Sequence, residues 1–200
     1  MGTNKKKNKT ATKNPGTAHE TAIKLCGFGG QGIILSGLMI GKAAAIYDSL
    51  QATFTQSYGP EARGGECSSS VIVSDERAEY PFVENADILI AMSQVAYNKY
   101  VKQLKQKGLL VIDSNLVDPH GVPEGVSIRG VPSTAFAEQL GNKIVANVVM
   151  LGFFTAVSGR ITRESMEKVI TETVPKRFVD LNKRAYNMGY EHASKDESHL

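Results

Sequence analysis

The residues with the clearest chemical potential form a glycine-rich turn near the start of the chain. Its spaced glycines fit the pattern G-x-G-x-x-G between a predicted strand, residues 21–26, and a predicted helix, residues 33–47. Glycine permits a tight turn and lets the backbone approach a phosphate, and the first N–H groups of the helix add the positive end of its dipole. The ligand or partner-surface candidates in this turn are Gly27, Gly29, Gly30, Gln31 and Gly32.

Three interpretations of this turn stay open. A dinucleotide site also needs an acidic residue at the end of the second strand to hold the ribose. That strand leads into Thr55, Gln56 and Ser57, whereas Asp48 has the right sequence offset but falls between the first helix and the second strand. We therefore favour a contact with another ligand or partner, or a turn whose glycines serve only packing, over dinucleotide binding.

A second glycine-containing loop, residues 58–65, joins two predicted strands. Its proline fixes a bend, its glycines permit unusual backbone angles, and Arg63 presents a planar fork of donors. Such a fork suits a carboxylate, a phosphate or a neighbouring subunit. The alternative, which composition alone favours, is that the charges of this loop are simply exposed. The candidate residues of the loop are Tyr58, Gly59, Pro60, Glu61, Arg63, Gly64 and Gly65.

Signatures of autonomous catalysis are missing from the sequence. There is no Ser-His-Asp ordering, no Walker loop, no thiamine-diphosphate signature and no cysteine cluster. Cys26 and Cys67 fit no metal or redox spacing, and the four histidines are scattered. We expect no catalytic residue, no metal ligand and no bound cofactor in this chain alone.

Composition predicts one domain without a membrane segment. The chain has 200 residues, of which 42% are hydrophobic, enough for one core. We expect a disordered basic tail at 1–20, a single domain at 21–191 and a polar tail at 192–200. The lysine-rich tail could touch nucleic acid or acidic lipid, but a solvated extension is favoured. With no secretory signal and no membrane-spanning stretch, we predict a cytoplasmic protein that binds neither nucleic acid nor membrane.

Predicted strands and helices alternate along the chain. This order is typical of an α/β fold, a three-layer, mostly parallel sheet with helices on both faces, Rossmann-like in outline. Gly108 is placed as the terminator of the second helix and Ser133 as the N-cap of the third. The predicted strands are 21–26, 51–55, 66–74, 87–92, 109–113 and 125–131. The predicted helices are 33–47, 94–107, 133–140, 144–157, 163–172 and 177–190.

The predicted helix 144–157 is apolar on nearly every face. Such a helix lies either in the centre of a core or in an interface. Because a domain of this size already has other helices to cover its sheet, we favour an interface. Asn147 is expected to be a hydrogen-bonded amide in the core.

Two motifs, in this order and at this spacing, resemble the gamma domain of 2-oxoacid:ferredoxin oxidoreductases. The first is the run from Gly27 to Gly32 with the small-residue helix that follows, and the second runs from Thr55 to Gly65. The segments 87–94 and 147–152 also resemble runs at the same places in that family. The resemblance extends from Ile23 to the last helix, which is nearly all of the predicted domain.

The resemblance implies a part in a larger enzyme. Members of this family cleave a 2-oxoacid on thiamine diphosphate, pass two electrons through iron–sulfur clusters to ferredoxin, and release CO2 and an acyl-CoA. In multi-subunit forms, thiamine diphosphate, Mg and the clusters belong mainly to other chains. The gamma domain packs against alpha and beta subunits, with or without a ferredoxin-like delta subunit, and helps to form the coenzyme A channel. We assign both glycine loops to that surface.

The second loop resembles the 2-oxoglutarate type of this family. Pyruvate-type chains have a bulkier and more basic version. Glu66 and Cys67, where small residues are usual, leave a pyruvate- or indolepyruvate-type subunit as an alternative. A stand-alone dinucleotide-binding regulatory module is an alternative of another class, and it should be a monomer that binds nucleotide by itself.

Overall fold

One six-stranded sheet forms the centre of the protein, in the order β2-β3-β1-β4-β5-β6. The computed structural model describes residues 20–59, 65–76 and 82–196. The strands are β1 (Glu20–Phe28), β2 (Gln51–Tyr58), β3 (Glu66–Ser74), β4 (Ala86–Ala91), β5 (Leu104–Asp113) and β6 (Ser127–Val131). Neighbours pair in parallel except at β3, which is antiparallel to both β1 and β2. Five of the six strands therefore point the same way, which confirms the mostly parallel sheet.

Helices cover both faces of the sheet, so the three-layer α/β prediction is confirmed. The helices are α1 (Ile33–Lys42), α2 (Gln94–Tyr100), α3 (Ser133–Gln139), α4 (Ala146–Ser158), α5 (Arg163–Thr173) and α6 (Val179–Asp196). All of them except α2 contribute to the larger core cluster, into which Ile23 and Leu25 of β1 point. Cys26 faces the smaller cluster under α2, as the alternation of side chains along a strand requires. No helix in the described part is long and apolar enough to cross a bilayer.

The apolar helix α4 lies in the core of this chain, so the predicted interface role was wrong. Its residues from Ala146 to Thr155 are all buried. It crosses α6 so closely that a Cβ on Gly152 would lie 2.0 Å from the Tyr186 carbonyl oxygen. A Cβ on Gly189 would likewise lie 1.9 Å from the Val149 carbonyl oxygen. The two glycines let α6 pack against the face of α4 that the sequence analysis assigned to an interface with a partner.

The last four residues of the predicted helix at 94–107 are strand. Helix α2 ends at Tyr100, a 3-10 turn occupies Val101–Gln103, and β5 begins at Leu104. Leu104 is buried and pairs with Ala86, and Lys105 forms an ion pair with Asp87 at 2.8 Å. Because these tertiary contacts hold the segment in the sheet, Gly108 lies inside β5 and does not terminate a helix.

The start of α3 is stabilised by a residue that is distant in sequence. Asp113, at the end of β5, is fully buried, and its Oδ2 accepts bonds from Ser133 Oγ at 2.6 Å, Thr134 N at 2.9 Å and Thr134 Oγ1 at 2.7 Å. Its Oδ1 accepts the Asn115 N–H at 3.0 Å. The predicted N-cap role of Ser133 was therefore wrong, because its hydroxyl donates to Asp113 and the aspartate occupies the N-terminus of the helix.

Other element ends differ from prediction in detail. After Lys42 the first helix continues as a π-helical turn, Ala43–Tyr47, and β2 extends three residues beyond Thr55. Helix α6 passes the predicted start of a polar tail at residue 192, because the His192 ring packs at 5.3 Å from the ring of Phe136. The predicted basic tail at 1–20 lies outside the described residues except for Glu20.

Candidate functional site

The glycine-rich turn adopts the strand–turn–helix geometry that its sequence predicts. It connects β1 to α1, and its backbone is in the left-handed region at Gly30 (φ 98°) and Gly32 (φ 73°). An alanine at Gly32 would be strained twice, because its Cβ would also lie 2.4 Å from Asn147 Nδ2. Gly32 thus brings the N-terminus of α1 against α4, and its carbonyl accepts the Ser36 N–H at 2.9 Å.

Asn147 is the buried amide that the sequence predicts. It is 4% exposed and donates from Nδ2 to Ser36 Oγ at 3.3 Å. This bond ties α4 to the first turn of α1, so the glycine-rich turn packs against a buried helix.

Gln31 stabilises the turn from within. Its Oε1 accepts the Phe28 N–H at 2.7 Å, and its Nε2 donates to the Met92 carbonyl at 2.9 Å. The amide therefore links the end of β1 to the residue that follows β4. Gly27 leaves room for it, since a Cβ there would lie 2.5 Å from Gln31 Oε1. The sequence suggested a polar contact for Gln31, and the structure shows that both ends of its amide are used inside the chain.

We expect Gln31→Ala to remove both of these bonds and to lower the free energy of unfolding by about 1–2 kcal/mol. Amide hydrogen exchange should become faster at the Phe28 N–H, because its acceptor is lost. Urea unfolding and exchange measurements on the purified chain test this. Gln139→Ala is the control, since that glutamine is exposed on α3. Equal effects of the two substitutions would show that Gln31 does not hold the turn.

The structure brings the two glycine loops together at one edge of the sheet. The Gly29 N–H donates to the Gly65 carbonyl at 2.8 Å, and the Gly59 N–H donates to the Glu66 carbonyl at 2.7 Å. Tyr58 is 65% exposed beside them. Of the other second-loop candidates, Pro60, Glu61, Arg63 and Gly64 lie outside the described residues. The described ends of the second loop therefore lie beside the glycine-rich turn that the sequence selected separately.

An apolar groove of about 220 Å³ runs from the glycine turn toward the start of α6. Gly30 and Gly32 form one end, and Leu35, Val174, Pro175 and Phe178 are among its apolar walls. Asn142, Asn147 and Asn182 supply its polar side chains, and none of the described residues that line it is acidic, basic or a histidine. The groove therefore suits an uncharged, largely apolar chain or side chain.

Exposed apolar side chains surround the same edge. Ile144 is 75% exposed, and Phe28, Leu35 and Phe178 are between 36% and 40% exposed. Such a cluster on a surface is typical of an interaction site. Sequence reasoning missed the contribution of Ile144 and of the α5–α6 connection, and took Pro175 only as a break between helices. A run of apolar residues around a proline between two amphipathic helices was the available signal.

Asp48, the acidic residue with a dinucleotide-like offset, serves another purpose. It follows the π-helical turn and accepts bonds from Thr162 N at 2.9 Å, Thr162 Oγ1 at 2.7 Å and Ser165 Oγ at 2.5 Å. It thereby fixes the start of α5. Its carboxylate precedes β2, whereas the glycine turn follows β1, so the two lie at opposite edges of the sheet.

The cysteines show no sign of redox or metal chemistry in the described part of the chain. Cys26 and Cys67 are both buried free thiols, and burial raises the pKa of each. Across the residues that the structure describes, no group of three His, Cys, Asp or Glu side chains is placed to hold a metal ion.

Comparison with known proteins gives a consistent result. The family model described as pyruvate ferredoxin/flavodoxin oxidoreductase matches residues 22–192. The 2-oxoglutarate synthase subunit KorC of Methanocaldococcus jannaschii is 47% identical, over 84% of this chain and 91% of that protein. Subunit KorC of Methanothermobacter marburgensis is 42% identical, over 84% of this chain and 94% of that protein. The crystal structure of a keto/oxoacid ferredoxin oxidoreductase gamma subunit from Geobacter sulfurreducens has a TM-score of 0.77 and 40% identity, covering 88% of this chain and 99% of that one.

Proposed function

Because this chain belongs to the pyruvate ferredoxin/flavodoxin oxidoreductase family, we propose that it is the gamma subunit of a cytoplasmic complex that oxidises 2-oxoglutarate to succinyl-CoA with ferredoxin as acceptor. The observation that carries this proposal is the joined surface of the two glycine loops, linked by the bond from Gly29 to Gly65. Both sequence motifs of the family resemblance meet there, beside an apolar groove and a cluster of exposed apolar side chains.

The substrate assignment is supported by the order of similarity among relatives. KorC subunits of 2-oxoglutarate synthases are 47% and 42% identical to this chain. A ketoisovalerate oxidoreductase subunit is 32% identical and an indolepyruvate oxidoreductase subunit 30% identical. The chain therefore resembles subunits named for 2-oxoglutarate more than subunits named for other 2-oxoacids.

We assign the loop surface to docking on alpha and beta subunits and to one wall of the coenzyme A channel. The described residues that line the groove are uncharged, so it suits the neutral arm of coenzyme A or an apolar partner side chain. Arg63, which lies outside the described residues, stays the predicted partner of a phosphate or carboxylate. We assign thiamine diphosphate, Mg and iron–sulfur clusters to the other chains, as the family resemblance implies.

We expect the isolated chain to show no 2-oxoacid oxidation. It should be assayed with 2-oxoglutarate, coenzyme A and an artificial electron acceptor, with the assembled complex as the positive control. The physical reason is that, in the proposed role, this chain contributes a surface, while the cofactor that stabilises the carbanion formed on decarboxylation belongs to another chain. Turnover by the pure chain at the rate of the complex would contradict the proposed role.

Purification of the native complex through a tag on this chain tests the function itself. The co-eluting chains should include subunits with a thiamine-diphosphate signature and with iron–sulfur cysteine motifs. Initial rates with 2-oxoglutarate, pyruvate and indolepyruvate then distinguish the substrate types. A chain that elutes as a monomer and binds NAD by itself would support the regulatory module instead.

A further inference from the structure

A polar cavity lies on the sheet face that carries α2, on the opposite side from the core that α1 and α4 cover. It has a volume of about 330 Å³. Helix α2 packs against β1 and β4. The cavity lies beside the helix, over β2 and β3. The residues that shape it include Lys24, Thr55, Ser57, Ser68, Ser70 and Phe82.

The register of the strands places the polar side chains in two rows. Lys24 of β1 pairs with Ser70 of β3, which pairs with Thr55 of β2. In the next row on the same face, Ser68 pairs with Ser57. Residues directly opposite on antiparallel strands have Cβ atoms about 4.5–5.5 Å apart. One ammonium and four hydroxyls are thus held by backbone pairing over the same small area.

Lys24 is a buried cation for which the described part of the chain offers no counterion. It is only 8% exposed, and its ammonium lies 4.8 Å from the centre of the Tyr100 ring. Within the described part of the chain, no carboxylate lies within ion-pair distance of it. The nearby Glu66 is bound by Lys99 at 2.8 Å. Loss of hydration lowers the pKa of Lys24, and the positive charge of Lys99 adds to this effect while Cys26 opposes it.

A buried ammonium is costly unless an anion or several hydrogen-bond acceptors surround it. The usual explanation for a buried lysine is that its aliphatic stem covers apolar surface while its charged end reaches water. That explanation accounts for an isolated lysine, but not for one that lines a cavity together with four hydroxyl side chains. Lysine and hydroxyl donors together match the acceptor oxygens of a phosphoryl or carboxylate group.

We propose that this cavity binds a small oxyanion, a molecule with a phosphoryl or carboxylate group, through Lys24 and the hydroxyl of Ser70, beside the Ser68 hydroxyl, which donates to the Tyr100 hydroxyl at 3.3 Å. Thr55 and Ser57 complete the polar wall, and Phe82 bounds the cavity on its apolar side. The site is separate from the groove at the glycine turn, since it lies on the other face of the sheet. Every residue that shapes it belongs to this chain, so its binding can be tested on this chain alone.

The test is calorimetric titration of the full chain with inorganic phosphate, pyrophosphate and succinate at constant ionic strength. The first two ligands report phosphoryl recognition and the third reports carboxylate recognition. We expect saturable binding of at least one, with an affinity that falls about tenfold or more in Lys24→Met. Lys102→Met is the matched control, because Lys102 is exposed, and it should bind as the wild type does.

Ser70→Ala provides a second variant if Lys24→Met does not fold, and we expect about a threefold to tenfold loss of affinity. Acylation of Lys24 by a water-soluble reagent, followed by mass spectrometry, should also be slowed by the bound anion. Absence of saturable binding for all three anions would overturn the proposal. Binding that both substitutions leave unchanged would also overturn it. A Lys24→Met chain that binds all three anions as the wild type does but fails to join the complex would overturn it too, and would assign Lys24 to a contact with a partner.

Discussion

Replacement of Gly152 by alanine is expected to destabilise the protein by about 3 kcal/mol or more, or to prevent folding altogether. The added Cβ would lie 2.0 Å from the Tyr186 carbonyl oxygen and 3.0 Å from the Tyr190 backbone nitrogen. Both atoms belong to the backbone of α6, so no side-chain rotation relieves the overlap. Helices α4 and α6 would have to separate, which would open the core that both of them fill.

The control for this substitution is Gly41→Ala. Gly41 is also buried in a helix, α1, but the nearest atom to its Cβ would be Val71 Cγ1 at 3.8 Å, an ordinary contact. There alanine should raise the free energy of unfolding by roughly 0.5 kcal/mol, because alanine favours the helix over glycine. Urea unfolding followed by circular dichroism measures both. Similar stabilities of the two variants would show that α4 and α6 do not depend on close backbone contact.

Substitution of Asp113 by alanine is expected to lower the free energy of unfolding by about 3 kcal/mol. The carboxylate is fully buried and accepts four hydrogen bonds, three of them from Ser133 and Thr134 at the start of α3. Alanine leaves these donors without acceptors and removes the negative charge from a helix N-terminus. The loss should appear as faster amide exchange in α3 as well as a lower urea midpoint.

Two further variants make the Asp113 result specific. Asp118→Ala removes a carboxylate that is exposed on the same connection, and we expect a change within about 0.5 kcal/mol. Asp113→Asn keeps the shape but replaces one acceptor oxygen by a donor that faces other donors, so it should destabilise nearly as much as alanine. A tolerated Asp113→Asn would mean that shape, and not the set of accepted bonds, determines the contribution of this residue.

Local pattern was sufficient to predict most of the fold. Strand β3 has the predicted bounds because its residues alternate and glycines precede it, and the glycine turn has the predicted strand–turn–helix geometry. Prediction failed where distant residues decide the outcome. Residues 104–107 join the sheet through Ala86 and Asp87, and Asp113 stabilises a helix that begins twenty residues later. Neither contact leaves a periodic signal in the sequence.

Only part of the candidate site could be predicted from the sequence, because contacts between distant residues determine the rest. The two glycine loops could be found separately from their residue types, whereas the bond that joins Gly29 to Gly65 follows only from the pairing of β1 with β3. The apolar groove combines α1, α4 and the α5–α6 connection, which lie far apart along the chain. Helix α4 was assigned to an interface because nothing in its own residues shows that Gly189 of α6 makes room for it.

The antiparallel strand β3 gives the second glycine loop unusual freedom to evolve. Since β2 and β3 form a hairpin, both ends of the loop are fixed by eight consecutive residue pairs, from Gln51 opposite Ser74 to Tyr58 opposite Cys67. Insertions, deletions or charge changes between them need not disturb the register of the sheet, because the entropy of a hairpin loop rises only slowly with its length. A parallel crossover would have required a whole helix to be rebuilt. The fold thus places the second glycine loop in a segment that can change in length or charge while the paired strands on both sides of it keep their register and their stability.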